Sequence, residues 1–223
     1  MQNLSQSLGL PSPARGTVFK LLLLFAHLLG TSLALGAIVA TDIRLLRRLA
    51  DDRVRIAPPN PFVMRLITLA LLVLYATGGG LIALGLIDDP SYLSGNPKLL
   101  AKLILVGAIS INALVLHRYT FPGLARGRRV ARWKFGDFMR VALPVSISNC
   151  LWMYCAFLGI ARPWSRTVSI GFVLGTAAWL LALTLAGATT VLVIAAQDRT
   201  DTEPGWIDAL KRRLDALATA LRI

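Results

Sequence analysis

The apolar residues of this chain are concentrated in five long blocks that carry almost no charge. The stretches between the blocks are rich in turn-forming residues, for example APPNP at 57–61 and DDPSYLSGNP at 88–97. A helix needs about 20 apolar residues to cross a hydrocarbon layer about 30 Å thick. The pattern therefore predicts an all-α, polytopic membrane protein with five transmembrane helices, at about 17–41, 62–87, 99–121, 138–160 and 167–196.

A different pattern follows the fifth block. In PGWIDALKRRLDALATALRI the apolar residues recur three and four positions apart, and the basic residues lie mainly off that stripe. This spacing is typical of an amphipathic helix. We expect the helix to lie on the cytoplasmic leaflet as an interfacial helix. The alternative is that it docks onto a partner protein. The chain then divides into a flexible N-terminal segment at 1–16, a bundle at 17–196 and a cytoplasmic amphipathic helix at 197–223. The apolar stripe of that helix consists of Ile207, Leu210, Leu214, Leu217 and Leu221.

Composition and charge support this class of protein. The 223 residues are 56% hydrophobic and their mean hydropathy is +0.65, whereas a soluble domain is about 45–50% apolar. The net charge of +13 raises nucleic acid as a partner, but Lys and Arg gather between the apolar blocks and no nucleic-acid-binding motif accompanies them. We therefore expect no nucleic-acid partner.

The basic residues also predict an orientation. Most of them fall in the connections after the first and third blocks and in the tail. Under the positive-inside rule, this distribution predicts a protein of the bacterial inner membrane with its N-terminus outside and its C-terminus in the cytoplasm. Basic side chains on the cytoplasmic face are expected to contact anionic lipid head groups.

Small residues indicate two sites of close helix packing. In the fifth block Gly171 and Gly175 form a GxxxG motif, which lets helix backbones approach closely in lipid. This motif is expected either to pack against another helix of the same bundle or to form a homodimer. Three consecutive glycines at 78–80 predict a kink or a close contact in the second block.

Polar residues inside the spans are the candidates for function, because burying them in a membrane is costly. His27, Lys102 and Asn112 are the intramembrane candidates. Residues four apart lie near one face of a helix, and the face of His27 carries mostly small residues such as Thr31 and Ala34. We therefore expect His27 to face the bundle rather than lipid.

Further predictions concern titratable side chains near the span ends. Lys102 is expected to extend its ammonium to the interface, to pair with Asp88 or Asp89, or to bind an anion. Asp42 and His117 both lie at the inner edge of their spans, where they could form an ion pair.

Cofactor binding is a weaker hypothesis. His27 and His117 are the two histidines of the chain, and their predicted depths differ by roughly 15–20 Å, which is too far for both to ligate one haem iron. A haem b with His27 as one ligand is the alternative, and Cys150 and Met153, with His27, are weak candidates for a soft Cu(I) site. No cofactor is the main expectation.

The first and third blocks resemble a group of small bacterial inner-membrane proteins of unknown function. The shared features are HLLG at 27–30 followed by DIRLL at 42–46, then a lysine and an Asn-Ala pair at Lys102 and Asn112. The first motif is also loosely similar to cytochrome b561-like and copper-resistance membrane proteins, although the absence of histidines from the second, fourth and fifth blocks argues against a two-haem group. The resemblance implies a helical membrane bundle and no particular reaction.

Together these features predict an integral membrane protein that acts as an accessory subunit or a small transport-type protein, with a membrane-protein partner or a homodimer as its assembly. No nucleophile motif, phosphate loop or dinucleotide fingerprint indicates an enzyme. The alternative function is that of a haem- or metal-binding redox protein with His27 as a ligand.

Overall fold

A computed structural model describes residues 15–49, 58–125, 134–197 and 205–220, and it is about 89% helical with no strand in those ranges. The helices are α1 (Arg15–Leu49), α2 (Pro61–Asp88), α3 (Pro97–Val115), α4 (Phe121–Ala125), α5 (Phe135–Ile160), α6 (Ile170–Gln197) and α7 (Gly205–Ala220). The connection between α3 and α4 is a π-helical turn, Leu116–Thr120, and a 3-10 turn, Arg162–Trp164, precedes α6.

Five of these helical stretches are long and apolar enough to cross a membrane, which confirms the predicted fold class. The flexible N-terminal segment predicted at 1–16 lies almost wholly outside the described residues. The tail is helical in α7, and its position on a leaflet stays a prediction. The candidate spans are Thr17–Arg44, Pro61–Asp88, Pro97–Leu124, Phe135–Ile160 and Ile170–Val191.

The turn-rich connections start their helices by the same device. Asn60 accepts a hydrogen bond from the backbone N–H of Phe62, at 2.9 Å, and Asn96 accepts one from Leu99, at 3.1 Å. A proline follows each asparagine as the first helical residue, where its missing N–H costs nothing. The Asn-Pro pairs of the sequence therefore fix where α2 and α3 begin.

The bundle is organised around α5, which packs against α1, α3 and α6, while α2 pairs with α1. Small residues lie at the centre, and both Ala34 of α1 and Ala101 of α3 are completely buried. The outer surface instead carries large exposed apolar side chains such as Phe25, Ile111 and Trp179. That distribution suits a bundle whose outer surface faces lipid rather than water.

The GxxxG motif of α6 does not pack within the chain. Gly171 and Gly175 are exposed, and a Cβ placed on Gly175 would meet no atom within 4 Å. Among the described residues, α6 lies against α5 through another face, which carries the buried Val173 and Ala177, so the GxxxG face is left for a contact outside this set. Tyr154 of α5 holds that face by donating to the carbonyl of Val173, at 3.0 Å.

Candidate functional site

His27 faces the bundle, as its small-residue surroundings predict, and its ring contacts α2. Its Nδ1 lies 2.9 Å from the hydroxyl of Thr77. That hydroxyl donates its single hydrogen to the carbonyl of Val73, at 2.7 Å. In the tautomer in which Nδ1 of His27 carries the hydrogen, the hydroxyl accepts from it and Nε2 is left as an acceptor.

The glycines of α2 make room for this contact. A Cβ on Gly78 would lie 3.4 Å from Cε1 of His27, and one on Gly80 would lie 3.1 Å from Cδ1 of Leu23. Gly79 points to open space, with no atom within 4 Å of a Cβ there. The close contact predicted for residues 78–80 is thus an approach of α1 and α2 along one face.

Lys102 extends from α3 into the same half of the bundle. Its Nζ lies 3.7 Å from the position that a Cβ would take on Gly159 of α5, and it is near enough to His27 for their charges to interact. Lys98 lies one turn earlier and is almost completely buried, and its Nζ donates to the carbonyl of Ala161, at 3.0 Å. The carbonyl of Ala161, which follows the last residue of α5, therefore accepts a hydrogen bond from the ammonium group of Lys98. We call the group of His27, Lys98 and Lys102 the basic site.

The carboxylates expected to pair with Lys102 contact other side chains. Asp88 lies 3.7 Å from Nζ of Lys20, and Asp89 accepts from the guanidinium of Arg166 at 2.7 Å. The hydrogen bond from the Ser91 hydroxyl, together with that from Arg166, holds the pKa of Asp89 below its ordinary value. Within the described ranges no carboxylate forms an ion pair with Lys102.

Asn112 is buried and has a structural partner. Its side-chain amide donates to the carbonyl of Pro144 in α5, at 2.8 Å. Two turns further along the chain, the hydroxyl of Thr120 donates to the carbonyl of Arg140, at 3.0 Å. A proline inside a helix has no N–H for the carbonyl four residues before it, and for Pro144 that carbonyl belongs to Arg140. Asn112 and Thr120 therefore bind α3 and the π-helical turn to the proline site of α5.

Asp42 and His117 line one cavity of about 130 Å³ at the opposite end of the bundle from His27. Asp42 faces the side-chain amide of Asn149. The ring of His117 stacks edge-on against Phe121, with centroids 5.3 Å apart. The described residues show no ion pair between Asp42 and His117.

The structure does not bring the weak metal candidates together. Cys150 and Met153 line a groove between α5 and α6 that does not include His27. Both cysteines are free and buried, and Cys150 points toward the carbonyl of Ala177. No cluster of three or more His, Cys, Asp or Glu side chains suited to a metal occurs among the residues described.

Sequence reasoning missed Thr77, which contacts His27, Thr120, which donates to the carbonyl of Arg140, and the position of Asn149 opposite Asp42. Threonines are common in apolar spans, and most of those here bond to the carbonyl four residues earlier in their own helix. Nothing in their local pattern distinguishes Thr77 and Thr120, which contact other helices. No family model, curated protein or solved structure matches this chain, so the resemblance drawn from the first and third spans stays a prediction.

Proposed function

We propose that this protein is a small transport-type protein of the bacterial inner membrane, which binds an anionic group at the basic site. The observation that supports this proposal is the ammonium of Lys102, which lies within the bundle without a carboxylate partner among the described residues. Its titratable neighbours are His27, Lys98 and the buried thiol of Cys155, and none of these is a carboxylate. We further propose that the N-terminus is outside, the C-terminus is cytoplasmic and α7 lies on anionic lipid.

The energetic argument starts from the cost of intramembrane charge. A lysine within a span is costly, and such residues face the bundle interior and mark paths or binding sites for ions and substrates. Lys98 offsets this cost with the carbonyl of Ala161, whereas Lys102 has a hydrogen-bond capacity that the described side chains leave unused. A carboxylate or phosphate at Lys102 would gain charge-assisted hydrogen bonds, worth about 1.5–3 kcal/mol each.

The test is anion binding by the full chain in detergent, with octanoate and inorganic phosphate as probes. Lys102→Met should weaken binding of the preferred anion by about 10-fold or more, which corresponds to the energy above. Lys20→Met is the matched control, because it removes an exposed lysine at the same end of the bundle. Equal binding by the Lys102→Met variant and the parent chain, or binding of neither probe, would refute the proposal.

Transport is distinguished from an accessory role by reconstitution. Proteoliposomes that contain the chain alone should accumulate the bound anion, and the Lys102→Met variant should not. If the anion binds without uptake, the chain acts as an accessory subunit, and the exposed small-residue face of α6 is the surface for its partner or for a second copy.

The alternative is a redox protein with His27 as a ligand, and one observation favours it. In the tautomer in which Nδ1–H bonds to Thr77, Nε2 is left to face a ligand. The described residues supply no second axial ligand, because His117 lines the far cavity and Met153 lines another groove. An oxidised and reduced absorption spectrum with metal analysis tests this function: a Soret band that His27→Ala removes would establish it and displace the transport proposal.

A further inference from the structure

The cavity at the Asp42 end of the bundle has walls from four of the five spans. α1, α2, α3 and α5 contribute to it, and Pro59 of the connection between α1 and α2 closes one side. Its lining is mainly apolar and includes Ile109 and the buried indole of Trp152. A small number of polar groups in an apolar concavity is the usual composition of a small-molecule site.

The cavity contains one carboxyl group, that of Asp42, and the imidazole of His117 also lines it without forming an ion pair with Asp42 among the described residues. Asp42 lies inside the span Thr17–Arg44, and the group that faces it is the neutral amide of Asn149. Arg44 follows two positions later, so it projects from the opposite side of α1. Among the described residues no basic side chain forms an ion pair with Asp42. A carboxylate that lines a mainly apolar cavity is stabilised when a cation accompanies it.

The cavity dimensions limit the size of that cation. A cavity of about 150 Å³ holds one benzene molecule, and this cavity measures about 130 Å³. One aromatic ring or a short aliphatic body therefore fills it. Asn149 and Ser148 also line this space, and an amide oxygen and a hydroxyl can both accept hydrogen bonds from an ammonium group.

We propose that the Asp42 cavity binds a small organic amine, whose ammonium group pairs with Asp42 and whose apolar body lies against Ile109 and Trp152. The site is separate from the basic site, which lies about 15 residues away along α1, or roughly 20 Å at 1.5 Å per residue. The two proposals are therefore tested independently. Lys102→Met should leave amine binding unchanged, and Asp42→Asn should leave anion binding unchanged.

The experiment compares benzylamine with benzyl alcohol, which have nearly the same shape and differ in charge. Equilibrium dialysis of the full chain in detergent should show benzylamine bound at least 10-fold more tightly than the alcohol. Asp42→Asn should abolish that preference while the alcohol binds as before. Asp137→Asn is the matched control, since it neutralises an exposed aspartate of α5 that pairs with Arg140 outside the cavity.

A second variant tests the cavity without changing charge. Ala113 lines the cavity, so Ala113→Phe should fill part of it and weaken binding of both probes while Asp42 stays in place. Binding of neither probe by the parent chain would overturn the proposal. Equal binding of the two probes, or an amine preference that survives Asp42→Asn, would also overturn it. Circular dichroism of Asp42→Asn and Ala113→Phe shows whether each variant folds. If one of them does not fold, the binding data of the other variant test the proposal.

Discussion

Pro144 lies in the interior of α5, and the structure predicts that its effect on stability depends on Thr120. The missing N–H of Pro144 leaves the carbonyl of Arg140 without its helical partner, and the hydroxyl of Thr120 donates to that carbonyl at 3.0 Å. Thr120 is 1% exposed, so water does not replace it there. Thr120→Val keeps the side-chain shape and removes the donor.

The expected cost follows from the environment of the bond. Hydrogen bonds between membrane helices contribute about 0.6 kcal/mol on average and up to about 1.7 kcal/mol. A buried carbonyl left without any partner costs about 1–3 kcal/mol. Thr120→Val should therefore lower the free energy of unfolding by about 1–2 kcal/mol. In a Pro144→Ala background residue 144 has an N–H that can bond to Arg140, and the same change should cost less than about 0.5 kcal/mol.

The assay is a double-mutant cycle. The free energy of unfolding is measured for the parent chain, both single variants and the double variant by titrating SDS into mixed micelles, with helical ellipticity as the signal. The predicted coupling energy is about 0.5–1.5 kcal/mol. If Thr120→Val has the same cost with and without the proline, Thr120 does not substitute for the missing N–H, and the account given for this contact is refuted.

Two further predictions concern the end of the bundle near His27. Gly78→Leu should lower the free energy of unfolding by about 1–3 kcal/mol, since even a Cβ there lies 3.4 Å from His27. Gly79→Leu should change the free energy of unfolding by less than about 0.5 kcal/mol, because residue 79 faces open space. Equal effects of the two substitutions in SDS titration would contradict the close approach of α1 and α2. The pKa of Asp89 is lower in the folded chain than its ordinary value of 3.8, so its contribution to stability is present above that value and is lost as the pH falls below it. Melting temperature should therefore show an acid-side decrease that Asp89→Asn reduces, and an identical pH profile for that variant would count against the contact with Arg166.

The spans could be predicted from sequence because their signal is local. Each requires about 20 apolar residues in succession. Each predicted boundary lies within three residues of the candidate span, except the end of the fifth, which was predicted at 196 and lies at Val191. The Asn-Pro pairs likewise act within one turn, so Asn60 and Asn96 fix helix starts without help from the remainder of the chain.

The contacts between helices could not be predicted in this way, because they depend on which helices are neighbours. In the sequence, the small residues Gly171 and Gly175 could pack either against another helix of the bundle or against a second copy of the chain. Which face of α6 is buried depends on how that helix is rotated about its axis, and the sequence does not show this. Asn112 was a candidate for function because it is a polar residue inside a span. Its side chain instead donates to the backbone carbonyl of Pro144, 32 residues later in another helix, and nothing in the local pattern of α3 shows which helix is its neighbour.

The structure therefore separates the intramembrane polar residues by whether their hydrogen-bonding capacity is used. Asn112, Thr120 and Lys98 each donate to a backbone carbonyl, so packing and stability are sufficient reasons for their presence. Lys102 and Asp42 have no oppositely charged partner among the described residues, although charge at their depth is costly. In the two proposals made above, a ligand of opposite charge supplies the partner that the described residues do not. For that reason the two residues, rather than the more conspicuous His27, are the positions at which binding should be measured first.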